Sequence, residues 1–269
     1  MTVPVALTIA GSDSGAGAGI QADLKTFASF GVYGVSVITA ITAQNTVGVR
    51  AVQDIDADVI RAQLDAVAED FAIASLKIGM LSNAAIIETV AAGIQRHRLS
   101  PVVLDPVMIA KSGDRLLRED AVDALRRKLL PLAEVVTPNI PEAEVLAGRP
   151  IRSWDDRLAA VRGIMELGAH AVVIKGGHSE ADPVVDVLVD SHGVHEYRAA
   201  RIVTTNTHGT GCTFSAAITA GLATGLDLPQ AVAQARDYLS RALSAAPGLG
   251  HGHGPLNHFP SMQVARAHH

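Results

Sequence analysis

The sequence predicts an α/β fold in which a mostly parallel sheet lies between two layers of helices. Short apolar runs alternate with longer amphipathic segments along the 269-residue chain, which is the pattern of repeated strand–helix units. The short runs are rich in Val and Ile, as is typical of strands that are buried on both faces. Hydrophobic residues make up 48% of the chain and charged residues 18%, so a large core can form. We expect one domain spanning residues 1–269, because α/β folds of this length often form a single unit.

The first half of the chain alternates strands and helices. Uninterrupted apolar runs predict strands at residues 3–10, 35–43, 51–55, 76–78 and 102–104. Apolar residues at helical spacing predict helices at 20–30, 56–69 and 83–97. Gly31 follows the first of these helices as a C′ glycine, and Asp56 is a candidate N-cap of the second.

The second half continues this alternation and adds a hairpin. Helices are predicted at residues 119–130, 141–147, 153–167, 212–224 and 229–246, and strands at 135–137 and 171–174. Gly148 would end the second of these helices, and Ser153 would cap the third. Residues 184–189 and 194–198 alternate apolar and polar side chains around a turn at 190–193. This pattern predicts an antiparallel edge to the sheet.

Charge and cysteine content exclude several classes of protein. The formal net charge is −5, whereas a protein that binds a phosphate backbone needs a basic face, so nucleic acid is not expected as a partner. The single cysteine excludes an internal disulfide and a cysteine-rich zinc module. No apolar run is long enough to span a membrane, and the amino terminus resembles a first strand more than a secretion signal. We expect a cytoplasmic protein without membrane contact.

The sharpest motif is Asn206-Thr207-His208-Gly209-Thr210-Gly211-Cys212-Thr213, directly before an apolar helix. Two glycines allow a tight turn with several N–H groups pointing one way, and a helix N-terminus adds partial positive charge. Together they suit a phosphate or a phosphoryl group in transfer. The cysteine lies at the helix start, where a thiol pKa is lowered. A plain glycine turn beside a small buried hydrophobe is the structural alternative, and the two interpretations are evenly balanced.

A second glycine-rich segment separates the first strand from the first helix. Its glycines stand at positions 11, 15, 17 and 19. The G-x-G-x-x-G pattern fails because Ile20 stands where a third glycine is required, and the chain contains no Gly-Lys pair for a P-loop. A nicotinamide dehydrogenase and a P-loop NTPase are therefore disfavoured. The loop is either a flexible turn or a close backbone approach to a ligand, and the flanking Asp13 and Asp23 are either functional or only capping or solvated carboxylates.

Polar residues also follow several predicted strands. They are Asp105, Asn139, Glu142 and Lys175. Carboxylates with an amide suit Mg²⁺ bound to a nucleotide, because Mg²⁺ keeps waters and takes few protein ligands. A nearby lysine would neutralise phosphate charge. Each residue alone is a weak signal, since Glu142 suits the first turn of a helix and Lys175 suits a solvated loop.

The histidines near the carboxyl terminus do not predict a metal site. His251, His253 and His258 lie in a glycine-rich stretch, and His268 and His269 end the chain. None of them has the i, i+4 spacing around a Glu that characterises a helical zinc site. Solvated loop histidines are the favoured interpretation.

The combined motifs resemble one family. The chain is similar to the hydroxymethylpyrimidine and phosphomethylpyrimidine kinases of thiamine biosynthesis, within the ribokinase-like superfamily. The most specific matching stretches are AGIQADLKTF, TAQNT, KSGD and THGTGCT, and further matches run from residue 6 to residue 258. One departure lies in the first glycine loop, where family members commonly read D-P-S-G-G-A-G and this chain lacks the proline and has a shifted serine.

The resemblance implies a fold, an activity and a set of site residues. The fold is a three-layer α/β/α ribokinase-like domain with a small β flap. The activity is ATP-dependent phosphorylation of 4-amino-5-hydroxymethyl-2-methylpyrimidine to its monophosphate and then to the diphosphate, with Mg²⁺, in a homodimer. Substrate would be bound by Gln44 at the aminopyrimidine edge, Asp23 near its polar groups, Met80 and Val107 on the ring, and Gly11 and Ala18. Asp105 and Glu142 would hold the metal, Asn139, Lys175 and Thr207 would meet ATP, and Gly209, Thr210, Gly211 and Cys212 would form the anion hole.

Cys212 stands where most ribokinase relatives carry an aspartate base. A thiolate with a lowered pKa would accept the hydroxymethyl proton in the first step, whereas the second step has an ionised phosphate as its nucleophile and needs no base. On this hypothesis, Cys212→Ala harms the first phosphorylation more than the second. Equal losses would instead indicate that Cys212 shapes the anion hole.

Two alternative functions are weighed against this one. Pyridoxal or pyridoxine kinase activity would use the same scaffold, and the Gln44 amide favours the aminopyrimidine because it both donates and accepts hydrogen bonds. A non-catalytic pyrimidine-binding protein would be expected to have lost its phosphate-handling residues. Asn139, Glu142, Lys175 and the GTGC turn are all present.

Overall fold

The computed structural model describes residues 2–109, 113, 116–118, 121–178 and 182–260. Within these residues the strands form one nine-stranded sheet in the order β3-β2-β1-β4-β5-β6-β7-β8-β9. The strands are β1 (Val5–Asp13), β2 (Tyr33–Gln44), β3 (Val49–Asp54), β4 (Ile73–Ile78), β5 (Val102–Leu104), β6 (Val135–Val136), β7 (Ala171–Ile174), β8 (Val184–Asp190) and β9 (Gly193–Ala199). The sequence prediction of an α/β fold is confirmed.

The centre of the sheet is parallel and both edges are antiparallel. Strands β2, β1, β4, β5, β6 and β7 run in the same direction, so their carboxyl ends lie along one edge. Strand β3 turns back on β2, and β8 and β9 form the predicted hairpin beside β7. In the turn of that hairpin, Asp190 accepts hydrogen bonds from the N–H groups of His192 and Gly193.

Helices cover both faces of the sheet. They are α1 (Gly19–Ser29), α2 (Ala57–Asp70), α3 (Ala84–His97), α4 (Ala121–Ala124), α5 (Ile140–Ala147), α6 (Trp154–Glu166), α7 (Thr210–Ala223) and α8 (Leu228–Ser244). The largest apolar cluster joins one face of the sheet to α2 through α6. Two smaller clusters join the other face to α1, α7 and α8. None of the helices in the described ranges is both long and apolar enough to cross a bilayer.

Helix α7 is the most deeply buried helix among those described. Every residue from Thr213 to Gly221 is buried, because α1, α8 and the sheet surround it. Small side chains make this possible: a Cβ at Gly221 would lie only 2.9 Å from that of Ala231 in α8. Such an all-round buried helix fixes the position of its first turn, which carries Thr210, Gly211 and Cys212.

Most predicted boundaries agree with the structure to within a few residues, and one predicted helix differs in detail. The helix predicted at 119–130 is short: α4 gives way to a wide π-helical turn over Leu125–Leu129 and a tight turn over Leu130–Leu132 that contains Pro131, which cannot donate a helical hydrogen bond. Asp56 occupies the N-cap position of α2 as predicted, although its side chain makes no capping hydrogen bond there. Gly31, Gly148 and Ser153 end or cap their helices as predicted.

Candidate active site

The predicted site residues converge on one cavity of about 550 Å³. It opens at the carboxyl ends of the parallel strands, where sites form in sheets of this kind. The residues of the sequence-based site that line it are Gly11, Ala18, Gln44, Met80, Asp105, Val107, Asn139, Glu142, Lys175, Thr207, Gly209, Thr210, Gly211 and Cys212. Asp23 is the exception. Of the KSGD stretch, Lys111, Ser112 and Asp114 lie outside the described residues.

A charged group at the ends of β5, β6 and β7 forms the centre of the cavity. The Nζ of Lys175 lies 2.8 Å from Oδ1 of Asp105 and 3.9 Å from Oε2 of Glu142. The hydroxyls of Thr137 and Ser215 each donate to Asp105 at 3.3 Å, which fixes the orientation of its carboxylate. The group therefore contains two carboxylates and one ammonium, held at fixed positions by strand ends.

Burial changes the pKa values of the ionisable side chains in this charged group. Burial raises the pKa of Glu142 to about 7, and the charge of Lys175 only partly opposes the shift. Burial acts to lower the pKa of Lys175, but the attraction of Asp105 and Glu142 is larger in sum and raises it. Lys175 is therefore protonated, and Glu142 is poised to change its charge near neutral pH.

Asn139 and Glu142 have a structural role as well as a place in the cavity. The Asn139 side chain accepts from the Glu142 N–H at 2.9 Å, and Oε2 of Glu142 accepts from the Asn139 N–H at 2.8 Å. This reciprocal pair is a capping box at the start of α5. The backbone of Asn139 also pairs with that of Lys175. The cap thus places both residues of the predicted N-x-x-E motif beside the lysine.

The predicted anion loop is formed by the first turn of α7. Gly209 adopts a φ of +83°, and a Cβ there would overlap the carbonyl oxygen of Gly17. The N–H groups of Gly211 and Cys212 belong to the first helical turn, which has no acceptors within the helix. A Cβ at Gly211 would lie 3.4 Å from both Asp105 and Lys175 Nζ. Backbone donors and the lysine therefore face the same space, as binding a transferring phosphoryl group requires.

The thiol of Cys212 does not have the lowered pKa expected at a helix start. Burial raises its pKa to about 11, and the positive charge of Lys77 opposes this only in part. The expectation of a ready thiolate is therefore wrong for the ligand-free protein. Desolvation of the charged form outweighs the helix dipole at this position.

Another part of the cavity wall is apolar and carries the amide of Gln44. Met80 and Val107 line it, and a Cβ at Gly11 would lie 3.1 Å from the Met80 sulfur. Gln44 ends β2, where its backbone is held by Ser14 Oγ through bonds of 2.7 and 2.8 Å. Among the residues that the structure describes, its side-chain amide makes one hydrogen bond, to Thr42 Oγ1 at 3.3 Å. The slot thus offers apolar walls and an amide with unused hydrogen-bonding capacity for a flat polar ring.

Asp23 lies beneath the cavity and does not line it, which corrects its predicted place at the substrate. Its carboxylate is fully buried, 2.7 Å from the equally buried Nζ of Lys77, and accepts from Thr8 Oγ1 at 2.6 Å. The residue faces inward from α1 onto the sheet, and Lys77 on β4 neutralises it. Sequence reasoning missed Lys77, although a lysine inside the apolar run of a central strand is itself a signal of a buried partner.

Two further pairs of hydrogen-bonded side chains at the cavity were also missed. His208 Nε2 lies 2.8 Å from Asp13 Oδ2 where the two glycine-rich loops meet. Asp186 on β8 accepts a hydrogen bond at 2.8 Å from the N–H of Gly176, the residue that follows Lys175. Asp186 also pairs with Arg236 of α8 at 3.0 Å. Each pair joins residues that are far apart in sequence, so no local spacing reveals it.

The described residues contain no group of three or more His, Cys, Asp or Glu side chains that would hold a metal ion on its own. The two carboxylates at the centre, Asp105 and Glu142, nevertheless fit Mg²⁺ that arrives with a nucleotide. Mg²⁺ is commonly held by one or two carboxylates, with the remaining ligands supplied by water and phosphate oxygens.

Comparison with known proteins shows the family to which the chain belongs. The family model of phosphomethylpyrimidine kinase matches residues 13–257. A hydroxymethylpyrimidine/phosphomethylpyrimidine kinase of Rhizobium meliloti is 54% identical over 258 residues, covering 95% of this chain and 97% of the relative.

Two solved structures share the fold. A phosphomethylpyrimidine kinase of Clostridium difficile is 44% identical, with a TM-score of 0.80 over 90% of this chain and all of that one. A Bacillus subtilis pyridoxal kinase in complex with ADP is 41% identical, with a TM-score of 0.88 over 96% of this chain and 98% of that one. The fold is therefore ribokinase-like, and the chain belongs to the phosphomethylpyrimidine kinase family.

Proposed function

We propose that this kinase phosphorylates 4-amino-5-hydroxymethyl-2-methylpyrimidine to its monophosphate and then to the diphosphate, with ATP as donor, in thiamine biosynthesis. The observation that carries the proposal is the joining of two half-sites in one cavity. The lining of this cavity combines the apolar side chains of Met80 and Val107 and the Gln44 amide with Lys175, two carboxylates and the first turn of α7. Such a cavity would place a ring hydroxymethyl group beside a terminal phosphate.

The substrate half-site supports an aminopyrimidine. Met80 and Val107 would pack on the two faces of the ring, with Gly11 and Ala18 allowing close backbone approach. The Gln44 amide would both donate to a ring nitrogen and accept from the exocyclic amine. Gly11 suits this role because its lack of a side chain leaves room beside Met80.

The phosphate half-site supports phosphoryl transfer. The hydroxymethyl oxygen forms a bond to the γ-phosphorus, the bond from that phosphorus to ADP breaks, and the hydroxyl proton leaves to a phosphoryl oxygen or to water. The N–H groups of Gly211 and Cys212, together with the Lys175 ammonium, would face the charge on the transferring group. Catalysis of this kind depends mainly on positioning and charge stabilisation. Thr207 and Asn139 would contact the nucleotide phosphates.

Magnesium would enter with the nucleotide. Asp105 and Glu142 would hold the ion, which when bound neutralises phosphate charge. Lys175 lies between these carboxylates, and its ammonium group would add positive charge near the γ-phosphate. The raised pKa of Glu142 fits this role, because a carboxylate that is costly to ionise alone gains most from a bound cation.

Pyridoxal kinase activity is the second candidate, since a solved relative of that activity covers nearly the whole chain. Pyridoxal presents a hydroxymethyl group on a flat ring of similar size. It lacks the exocyclic amine that Gln44 would accept from, so we expect it to be the poorer substrate.

We also propose one cytoplasmic kinase domain that assembles as a homodimer. All of the described strands belong to one sheet, which supports a single domain. The exposed apolar side chains of Ile41, Val47 and Val52 lie on and between β2 and the edge strand β3, and they support an interface there. Sedimentation of the purified chain tests the dimer.

A mass-spectrometric product assay tests the function. Purified protein receives MgATP with the hydroxymethylpyrimidine, and in parallel with pyridoxal. The expected result is the pyrimidine monophosphate followed by the diphosphate. Monophosphate alone would contradict the second step, dominant pyridoxal phosphate would move the function to vitamin B6 salvage, and no product from either would indicate a binding protein.

A further inference from the structure

Asp13 and His208 form a buried pair to which phosphoryl transfer, as described above, gives no role. Asp13 ends β1 and His208 directly precedes the anion loop, yet His208 Nε2 lies 2.8 Å from Asp13 Oδ2. Both side chains line the cavity, and the two residues are only 2% and 8% exposed. The pair therefore links the segments that carry the two half-sites.

The Asp13 carboxylate also organises the first glycine-rich loop. Oδ1 accepts from the Gly15 N–H at 2.8 Å, and Oδ2 accepts from the N–H groups of Gly17 and Ala18 at 3.0 and 2.8 Å. Burial acts to raise the pKa of Asp13, but the hydrogen bonds from His208 and the loop outweigh it and lower the pKa. Because these N–H groups already bind a carboxylate, the first loop does not serve as the phosphate site.

The two loops touch where the pair joins them. A Cβ at Gly17 would overlap the His208 ring, and one at Gly209 would overlap the Gly17 carbonyl oxygen. The backbone N–H of His208 also donates a hydrogen bond to the carbonyl oxygen of Gly254 at 3.1 Å. The separation of the loops is therefore set by direct contact plus one charged hydrogen bond.

We propose that Asp13 and His208 are positioning residues for phosphoryl transfer, and that their hydrogen bond sets the distance between the pyrimidine slot and the anion loop. This inference rests on the proposed function. Ala18 lies on the substrate side of the contact, and Gly209–Cys212 lie on the phosphate side. A misplacement of about 1 Å between reacting groups costs on the order of 100-fold in rate.

Substitution of His208 tests the proposal. His208→Phe keeps a ring but removes the N–H donor, whereas His208→Gln retains a donor of similar reach. We expect His208→Phe to lower kcat by roughly 10- to 100-fold, with the KM for ATP changed less than about threefold, and His208→Gln to recover most of the loss. The substrate is whichever of the pyrimidine and pyridoxal the wild type phosphorylates.

Asp13→Asn provides a second, isosteric variant. It should show a similar fall in kcat, because one carboxylate oxygen becomes an amide that cannot accept from the loop. The double variant Asp13→Asn/His208→Phe should lose little more than the worse single variant, since both remove one interaction. Circular dichroism and thermal unfolding establish that each variant is folded when assayed.

His97→Phe is the matched control. His97 lies 2.7 Å from Asp65 between α3 and α2, in a pair of the same kind that does not line the cavity. It should keep the wild-type kcat even if it unfolds at a lower temperature. A folded His208→Phe variant within twofold of the wild-type kcat would overturn the proposal, as would failure of both His208→Phe and Asp13→Asn to fold. An inactive wild type would instead refute the proposed function.

Discussion

At the scale of the residue, Cys212 shows that burial outweighs a helix terminus. Burial raises the pKa of its thiol to about 11, although the residue lies in the first turn of α7. At pH 7 only about one molecule in ten thousand would carry the thiolate, so using it as the base would cost about 5 kcal/mol. This cost favours the second role considered from the sequence, in which Cys212 shapes the anion hole.

Cys212→Ala is therefore expected to lower both phosphorylations by similar factors. The reason is that the backbone N–H and the shape of the loop serve both steps, whereas a base would serve only the first. Single-turnover rates of the two steps, measured separately from purified pyrimidine and its monophosphate, check this. A first step that falls ten times more than the second would restore the thiolate as the base.

Alkylation of the wild type with iodoacetamide tests the raised pKa of Cys212 independently. At pH 8 we expect it to be about 100-fold slower than alkylation of a free thiol.

Glu142 should make nucleotide binding depend on pH near neutrality. Its pKa is raised to about 7, and Mg²⁺ binds the carboxylate form, so MgATP affinity should rise as the pH increases from 6 to 8. Glu142→Gln keeps the acceptor needed for the capping box and should flatten this rise. Titration calorimetry of both proteins over that range provides the measurement, and the comparison cancels the titration of ATP itself. Parallel pH profiles in the two proteins would show that Glu142 does not bind the metal.

The same shift has a consequence for stability. Folding raises the pKa of the Glu142 carboxyl from 4.5 to about 7. The free energy of unfolding therefore falls as the pH rises through this range. Denaturant unfolding of the wild type should therefore show a fall in stability across this window that Glu142→Gln lacks.

At the scale of the element, the site is made by the ends of elements and not by their interiors. The ends of β5, β6 and β7 carry Asp105, the α5 cap and Lys175, and the first turn of α7 faces them. Helix α7 is buried on all sides, so its N-terminus cannot move independently of the sheet. A rigid helix and fixed strand ends give the preorganised charges that phosphoryl transfer requires.

Gly209→Ala is expected to abolish activity. Gly209 has a φ of +83°, and its Cβ would overlap the Gly17 carbonyl, so the two glycine-rich loops would have to separate. Gly225→Ala at the other end of α7 is the matched control. It has a similar φ of +89° but nothing lies within 4 Å of its Cβ, so it should cost only about 1–2 kcal/mol of stability and leave kcat unchanged. Activity in the folded Gly209 variant above roughly a tenth of wild type would contradict the close loop contact.

At the scale of the whole molecule, one buried pair of charged side chains joins the central sheet to helix α1. Lys77 on β4 and Asp23 on α1 are both fully buried, and Thr8 of β1 completes the group. Burial acts to lower the pKa of Lys77, but the attraction of Asp23 outweighs it and raises the pKa. Burial raises the pKa of Asp23, and the attraction of Lys77 only partly opposes this. The contact of 2.7 Å between the two side chains makes the pair a structural support beneath the cavity.

Lys77→Met should destabilise the protein by about 3–5 kcal/mol, because it leaves the Asp23 carboxylate buried without its cationic partner and with only the Thr8 hydroxyl as a donor. The double variant Lys77→Met/Asp23→Leu should recover much of that loss, since no unpaired charge remains. Urea unfolding followed by circular dichroism gives both values. A double variant as unstable as the sum of the two single variants would show that the residues do not act as a pair.

The sequence by itself determined the α/β class, nearly all strands and helices, and fourteen of the fifteen cavity residues expected from the motifs and the resemblance. Those features depend on local periodicity and on residues adjacent in the chain. The tertiary structure alone decided the partners of Asp13, Asp23 and Asp186, and the protonation of Cys212 and Glu142. Each of these depends on charges and burial contributed by distant segments, and the spacing of residues along the chain carries no information about them.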